Sequence, residues 1–167
     1  MMATVYLGLG SNLDGPVRQL RSALERIQRL PETRLVAVSP LYGSTAVGPG
    51  TQSDYVNAAC ELRTALEPLT LLDELQAIER RQGRVRGPEQ WAPRTLDLDI
   101  LLYAGQVLNL PRLSVPHPRL DQRNFVLRPL QDLNPELCLP DGRRIADLLT
   151  QVGDAGLWPL AEAGDPA

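Results

Sequence analysis

The order of hydrophobic periodicities along the first hundred residues constrains the fold of this chain more than any other feature. Apolar residues two apart predict a strand that ends at Gly10, and apolar residues three or four apart then predict a helix over 16–29. The next elements are predicted as strand, strand, helix and strand, over residues 34–39, 55–63, 68–83 and 96–102. This order is typical of the ferredoxin-like α+β fold.

In that fold the βαββαβ unit forms an antiparallel sheet with both helices on one face, so the other face is expected to be open. A loop rich in Gly, Pro, Ser and Thr is predicted at 42–53. The last third of the chain, 104–167, is expected to form a C-terminal extension of short strands and one or two helices, the helices near 125–133 and 144–149. The whole chain, 1–167, is predicted to be a single domain in which 153–167 forms a flexible tail.

Charge and cysteine content exclude several classes of protein. The net charge of -3 argues against a general binder of nucleic acid or anionic membrane. All 17 basic residues are arginine, which excludes a Walker-A lysine, a protein-kinase lysine and Schiff-base chemistry. Cys60 and Cys138 cannot form a disulfide framework, and neither a signal-peptide pattern nor an apolar run of ~20 residues is found. A cytoplasmic protein without nucleic-acid or membrane partners is therefore expected.

The most informative segment is the predicted fourth strand, where Asp97 and Asp99 alternate with Leu96, Leu98 and Ile100. Side chains two apart share a face of a strand, so both carboxylates are expected on the open face, about 6–7 Å apart. That separation suits one hard cation, or two cations ~3.5–4 Å apart, bound through oxygen ligands. The alternative is a solvated acidic face without a ligand, which the alternation by itself favours.

Guanidinium groups are concentrated just before this strand. The cluster consists of Arg80, Arg81, Arg84, Arg86 and Arg94. Planar donors beside two carboxylates fit phosphate oxygens that are bridged by a divalent metal. The alternative is a solvated helix end, where arginine complements the helix dipole. This alternative explains Arg80 and Arg81 adequately, but it explains the three later arginines less well. Because Gly and Pro punctuate residues 83–93, this segment is predicted to be a hinged flap.

Four polar residues on the neighbouring elements are further candidates. Tyr55 and Asn57 share a face of the third strand and could bind a heterocycle there. A cross-strand pair without a ligand explains these two residues equally well. Gln76 and Glu79 lie three apart on the second helix, where the simplest interpretation is its polar, solvent-facing side, unless the site reaches that end of the helix.

Glycines, the histidine and two aromatic residues give weaker signals. Gly8 and Gly10 lie before a helix, but a tight turn explains them because the full dinucleotide fingerprint is missing. The only histidine, His117, lies between two prolines that hold the backbone extended, which favours an exposed imidazole. Phe125 and Trp91 could form an aromatic clamp, although core packing is favoured for Phe125.

Seven segments occur in a fixed order over residues 4–142. They are Tyr-Leu-Gly-Leu-Gly-Ser-Asn-Leu (6–13), Ser-Pro-Leu-Tyr (39–42), Asp-Tyr-Val-Asn-Ala-Ala (54–59), Ile-Glu with Gly-Arg-Val-Arg (78–79, 83–86), the run 91–103, Val-Pro-His-Pro-Arg (115–119) and Arg-Asn-Phe-Val-Leu-Arg-Pro-Leu (123–130). Together they resemble the 6-hydroxymethyl-7,8-dihydropterin pyrophosphokinase family of folate biosynthesis. The run Arg-Thr-Leu-Asp-Leu-Asp-Ile-Leu-Leu (94–102) is highly specific to that family.

The resemblance implies transfer of the terminal diphosphate of ATP to the hydroxymethyl group of the pterin, with release of AMP. It implies two Mg²⁺ ions held by Asp97 and Asp99, and catalytic phosphate contacts from Arg84, Arg86 and Arg94. The implied ATP-binding positions are Gln76, Glu79, Ile100, Arg112, Ser114, His117 and Arg123. The implied pterin-binding positions are Ser44, Thr45, Val47, Tyr55, Asn57, Trp91 and Phe125. Small-molecule substrates and a monomeric protein are expected.

The chain departs from the family pattern in three places. Ala92 replaces a common glycine, Gln90 replaces a frequent basic residue, and Ser-Thr-Ala-Val at 44–47 replaces a more proline-rich loop. Two other functions compete with this one: a non-enzymatic ligand- or RNA-binding module of the same fold, and a two-metal phosphohydrolase. An aromatic content of only 4% weighs against RNA binding, and a phosphohydrolase needs more clustered carboxylate or histidine ligands.

Overall fold

The computed structural model describes residues 2–12, 15–45, 54–83 and 96–160. The strands are β1 (Ala3–Ser11), β2 (Thr33–Val38), β3 (Tyr42–Ser44), β4 (Tyr55–Thr64), β5 (Asp97–Tyr103), β6 (Leu108–Leu110), β7 (Leu113–Val115) and β8 (Leu157–Pro159). The helices are α1 (Pro16–Gln28), α2 (Pro68–Arg81), α3 (Asn124–Leu133) and α4 (Ile145–Val152), with a short 3-10 helix at Leu120–Gln122. The predicted order of strands and helices, and the α+β ferredoxin-like fold, are confirmed.

The main sheet is antiparallel, and its strand order is β5-β1-β4-β3-β8. The long strand β4 pairs with β3 along its first residues and with β2 along its last ones. Strands β1 and β4 therefore form the centre of the sheet, whereas β5 lies at one edge. Strands β6 and β7 form a separate two-stranded ribbon.

Helices α1 and α2 cover one face of the sheet, as their periodicity predicts. Leu20 and Ile27 of α1 and Leu71 and Leu75 of α2 are fully buried in one hydrophobic cluster with residues of β1, β4 and β5. Within the described segments, no helix combines the length and the apolar character that crossing a lipid bilayer requires.

The C-terminal extension covers part of the face that was expected to be open. Leu127 and Leu130 of α3 pack in a second cluster that includes Ala59 of β4 and Leu101 of β5, and α4 joins it. The Tyr42 hydroxyl donates a hydrogen bond to the Asp132 carboxylate and so ties α3 to β3. Burial and this bond raise the pKa of Tyr42 to about 12. On the sheet face opposite α1 and α2, only the part beyond this second cluster is left for a ligand.

Two short strands occupy segments that were predicted to be irregular. Strand β3 begins the predicted loop 42–53, and β8 lies in the predicted flexible tail. Three residues are too few to show alternation, and both strands exist because their backbone groups pair with neighbouring strands. Residues 46–53 and 161–167 lie outside the described part of the chain.

The two cysteines differ in exposure, and this difference can be measured. Cys60 is fully buried in β4 and Cys138 is exposed. Burial raises the pKa of the Cys60 thiol to about 12, and only the thiolate reacts readily. We expect one thiol of the folded protein to react with an aromatic disulfide reagent at neutral pH, and both to react in urea. The Cys138→Ser variant should lose the fast reaction, and fast reaction of both native thiols would contradict this prediction.

Candidate active site

Two carboxylates lie side by side on the edge strand β5. Asp97 pairs with Gly10 of β1, and Asp99 pairs with Gly8. Residues two apart on a strand share a face, so both carboxylates point to the same side of the sheet. Both residues are half-buried, and neither belongs to a hydrophobic cluster. The structure therefore places the pair as the alternation predicted.

Gly10 of β1 forms the floor next to these carboxylates, whereas the space above Gly8 is filled by the Leu101 side chain. Gly10 lies between Asp97 on one side and Asn57 of β4 on the other. A Cβ atom at Gly10 would lie 3.4 Å from Asn57 Oδ1, and one at Gly8 would lie 3.3 Å from Leu101 Cδ1. No side chain of β1 therefore separates the carboxylates from the Asn57 amide. The tight-turn interpretation missed this role, because both glycines lie within a strand.

The Asn57 amide is held in one orientation. Its Nδ2 donates a 2.7 Å hydrogen bond to Ser44 Oγ of β3, and both residues are buried. This bond leaves Asn57 Oδ1 directed over Gly10. Tyr55, two residues earlier on β4, is half-buried and shares that face. Thr45 follows Ser44 and is exposed, and its backbone N–H donates to Gly156 O at 3.0 Å.

His117 lies against the free edge of β5. Its backbone N–H donates to Leu101 O at 3.1 Å, which places the residue beside the carboxylate pair. Burial lowers the pKa of His117, as do the nearby Arg123 and Arg119 charges, whereas the Asp97 carboxylate raises it. The Arg119 N–H lies 3.4 Å from His117 Nδ1, which favours a neutral ring that carries its proton on Nε2. The imidazole is half-buried rather than fully exposed.

The start of α3 contributes a stacked cation and ring. The Arg123 guanidinium carbon lies 5.6 Å from the centre of the Phe125 ring, a cation–π distance. Phe125 is half-buried and belongs to neither hydrophobic cluster. The core-packing interpretation of Phe125 is therefore wrong, and one face of the aromatic ring is covered by a charged group.

Glu79 supports the strand that carries the carboxylates. It is 2% exposed, so the interpretation as the solvent-facing side of α2 is wrong for this residue. Its Oε2 accepts a 2.8 Å hydrogen bond from the backbone N–H of Leu98, the residue between Asp97 and Asp99. Through this hydrogen bond, Glu79 fixes the position of the strand that carries Asp97 and Asp99 relative to α2.

The Glu79 contact predicts a difference between two substitutions. Glu79→Ala leaves the buried Leu98 N–H without this acceptor and should lower the free energy of unfolding by about 2 kcal/mol. Glu79→Gln keeps an acceptor oxygen and should lose less. Urea unfolding of the two variants measures the difference, and equal losses would show that the acceptor does not matter.

The other described residues that were predicted to bind ATP lie around the same edge of the sheet, next to β5. Arg112, in the turn between β6 and β7, donates to Gln76 Oε1 at 3.2 Å and to Asp73 Oδ1 at 2.5 Å. Ser114 of β7 is exposed. The Ile100 side chain is 3% exposed and packs in the main cluster, which leaves its backbone rather than its side chain for a ligand. Residues Val47, Arg84, Arg86, Gln90, Trp91, Ala92 and Arg94 lie outside the described residues.

The donor chemistry of the carboxylate pair fits magnesium. Mg²⁺ prefers oxygen ligands, and it commonly uses one or two carboxylates together with water and substrate phosphates. Asp97 and Asp99 supply such oxygens above a glycine floor. Within the described ranges no group of three or more His, Cys, Asp or Glu suited to a metal is found.

Comparisons with known proteins agree with this geometry. Residues 6–135 match the family model described as 7,8-dihydro-6-hydroxymethylpterin-pyrophosphokinase (HPPK). The 2-amino-4-hydroxy-6-hydroxymethyldihydropteridine pyrophosphokinase of Pseudomonas aeruginosa is 58% identical over 98% of this chain and 100% of its own length. The protein of the same name from Haemophilus influenzae is 48% identical over 92% of this chain and 95% of its own length.

A solved structure shows the same fold. The crystal structure of Plasmodium falciparum HPPK-DHPS wild type with pterin and p-hydroxybenzoate aligns with a TM-score of 0.70 and 15% identity. The alignment covers 90% of this chain but only 43% of that chain, so this protein spans less than half of its length. On the family model and the two bacterial relatives, the chain belongs to the 7,8-dihydro-6-hydroxymethylpterin-pyrophosphokinase family.

Proposed function

We propose that this pyrophosphokinase transfers the terminal diphosphate of ATP to the hydroxymethyl group of 6-hydroxymethyl-7,8-dihydropterin and releases AMP, a step of folate biosynthesis. The observation that supports it most strongly is the glycine floor between two kinds of polar group. The Asp97 and Asp99 carboxylates lie on one side of β1, and the oriented Asn57 amide lies on the other. A cation-bound polyphosphate and a planar heterocycle can therefore lie side by side.

The pterin is proposed to bind at the β4 end of this floor. Because Ser44 accepts a hydrogen bond from Asn57 Nδ2, the Asn57 Oδ1 atom is available to accept one from a ring N–H. Tyr55 and Phe125 are half-buried aromatic side chains that can contact the ring faces. The backbone of Thr45, with Val47 and Trp91, is proposed to complete this pocket. Burial of both Asn57 and Ser44 makes the hydrogen-bond pattern selective.

ATP is proposed to lie along the free edge of β5. Asp97 and Asp99 would hold two Mg²⁺ ions, which supply neutralising charge to the phosphate oxygens. The neutral His117 ring offers an Nε2–H donor beside the pair. Arg123 adds a positive charge near it, and Arg112 with Gln76 offers polar groups farther along the edge. The Ile100 backbone and Ser114 are proposed to complete the ATP site, and Glu79 acts on it through the Leu98 N–H that it binds.

The transfer itself needs positioning and charge neutralisation. The pterin hydroxyl oxygen attacks the β-phosphorus and releases its proton to water, and the bond from that phosphorus to the α-phosphate bridging oxygen breaks. AMP leaves with the electron pair of that bond. Negative charge increases on the leaving α-phosphate, and the guanidinium groups of Arg84, Arg86 and Arg94 are proposed to stabilise it. This role explains why the chain concentrates arginine just before β5.

The decisive experiment is a measurement of AMP formation from ATP. We expect AMP only when the pterin alcohol and Mg²⁺ are both present, and we expect chelation with EDTA to stop it reversibly. ADP instead of AMP would indicate transfer of a single phosphoryl group, and inorganic diphosphate without a pterin product would indicate hydrolysis. Either result would overturn the proposal.

Two further properties are proposed with this function. The first is a monomeric protein that binds small-molecule substrates only. A cytoplasmic location is consistent with a buried, unpaired Cys60 thiol. Sedimentation of the purified protein tests the monomer, since a concentration-dependent mass would contradict it.

A further inference from the structure

The segment 153–160, called here the C-terminal strap, contacts both sides of the proposed pterin site. It begins after α4 and contains β8. On one side it pairs with β3, which carries Ser44, and on the other side it is bound by Asn124 at the start of α3. Nothing in the reaction described above uses this segment.

The contacts with β3 are continuous. Trp158 pairs with Gly43 and Leu157 pairs with Ser44, while the neighbouring Thr45 N–H donates to Gly156 O at 3.0 Å. At the other end of the strap, Leu160 N–H donates to Leu41 O at 2.8 Å. Strand β3 has only three residues and depends on its neighbours for backbone pairing. The strap is one of the two strands that hold Ser44 in place.

Trp158 packs directly on the glycine of β3. A Cβ atom at Gly43 would lie 2.2 Å from Trp158 Nε1 and 2.3 Å from Cε2, so the indole occupies the volume of the missing side chain. Gly43 and Ser44 face opposite sides of the sheet, so the indole supports β3 from behind the proposed pterin site. The Trp158 side chain is 37% exposed, so replacing it does not open the core.

The contacts with α3 come from a single amide. Asn124 Nδ2 donates to Gly153 O at 3.1 Å and to Ala155 O at 2.9 Å. Asn124 lies between Arg123 and Phe125, which form the stacked pair described above. Because Ala155 and Gly156 are adjacent, the strap joins Asn124 to the Thr45 backbone through two consecutive residues. The other end of α3 is tied to β3 by the bond between Tyr42 and Asp132.

From these contacts we infer that the C-terminal strap is a positioning element for the pterin site, in which Trp158 and Asn124 set the separation between Ser44 and Phe125. The inference rests on the proposed function. Through β3 the strap acts on the side of the sheet away from Asp97, Asp99 and His117, whereas through Asn124 it also reaches the neighbouring Arg123, whose charge acts on His117. Disturbing the Trp158 contact should therefore change pterin affinity while ATP affinity stays nearly constant, and disturbing the Asn124 contact should change both.

The test compares substrate affinities in strap variants. We expect Trp158→Ala to raise the KM for pterin by about tenfold and the KM for ATP by less than about twofold, whereas Asn124→Ala should raise both KM values because Arg123 is its neighbour. Trp158→Phe, which keeps an aromatic ring over Gly43, should recover most of the loss. Leu69→Ala, at the start of α2, is a matched control because Leu69 is also 37% exposed, and it should leave both KM values unchanged.

A double-mutant cycle isolates the indole contact. Gly43→Ala should raise the pterin KM by itself, because its Cβ displaces the indole. In the Trp158→Ala background the same change should have no further effect. Additive effects of the two changes would mean that the glycine acts independently of Trp158, and would refute the role of the indole.

Pterin binding in the presence of a non-hydrolysable ATP analogue, followed by pterin fluorescence, gives a second readout that does not need turnover. For Trp158→Ala, equal changes in both KM values, or a lower melting temperature with an unchanged pterin KM, would refute the positioning role. A wild-type chain that binds pterin but forms no AMP would refute the proposed function alone, and the fluorescence series would still test the strap. A wild-type chain that does not bind pterin would refute both.

Discussion

Replacing Asp97 or Asp99 by asparagine is expected to lower kcat roughly a thousandfold while the fold stays intact. Asparagine keeps the size of the side chain but removes the negative charge that is proposed to hold a divalent cation. Both residues are half-buried on the edge strand and lie outside the hydrophobic clusters, so the change leaves the core untouched. AMP formation and urea unfolding of each variant measure the two effects separately.

Asp147→Asn is the matched control for these two variants. Asp147 is an exposed carboxylate on α4, far in sequence from the carboxylate pair and outside the proposed site. Its replacement changes the net charge by the same amount and should leave turnover unchanged. Near-normal AMP release from Asp97→Asn or Asp99→Asn would exclude the metal assignment. A raised Mg²⁺ requirement with partial activity would show that the other carboxylate still binds one ion.

Replacing Gly10 by valine is expected to lower kcat/KM by roughly a hundredfold without unfolding the protein. Valine is favoured in strands, so the backbone of β1 should tolerate it. Its methyl groups, however, would fill the floor between Asp97 and Asn57, where a Cβ atom alone already lies 3.4 Å from Asn57 Oδ1. The two substrates could then no longer approach each other.

Gly10→Ala provides the graded comparison for this prediction. Its Cβ makes only an ordinary contact with Asn57 Oδ1, so this variant should keep much more activity than Gly10→Val. Steady-state kinetics together with a melting curve separate blocked substrates from a damaged fold. If the Gly10→Val variant were as active as Gly10→Ala, the absence of a side chain at Gly10 would have no role in substrate binding.

Local patterns were sufficient to predict the long elements and the carboxylate pair. A helix of thirteen residues such as α1 and a strand of ten residues such as β4 repeat their apolar positions often enough to reveal their period. The same alternation placed Asp97 and Asp99 on one face of a strand. The resemblance to a known family then connected these two residues with distant segments that no period could relate.

Short strands and single contacts could not be predicted in this way. Strands β3 and β8 have three residues each; β8 forms by pairing with β3, more than a hundred residues earlier in the chain, and β3 pairs with both β4 and β8. Glu79 has the sequence signature of a solvent-facing helix residue, yet it is buried because one strand N–H needs an acceptor. Phe125 has the apolar side chain expected of a core residue, but its ring lies beneath the Arg123 guanidinium.

The sequence by itself determined the order of strands and helices, the face on which Asp97 and Asp99 lie, and the buried side of each long helix. These are properties of neighbours along the chain, where the period of the backbone alone decides which way a side chain points. Only the tertiary structure decided that Gly10 separates Asp97 from Asn57, and that residues 153–160 join β3 to α3. The register between two strands depends on segments that are far apart in the sequence, and it is fixed only when their apolar faces pack together.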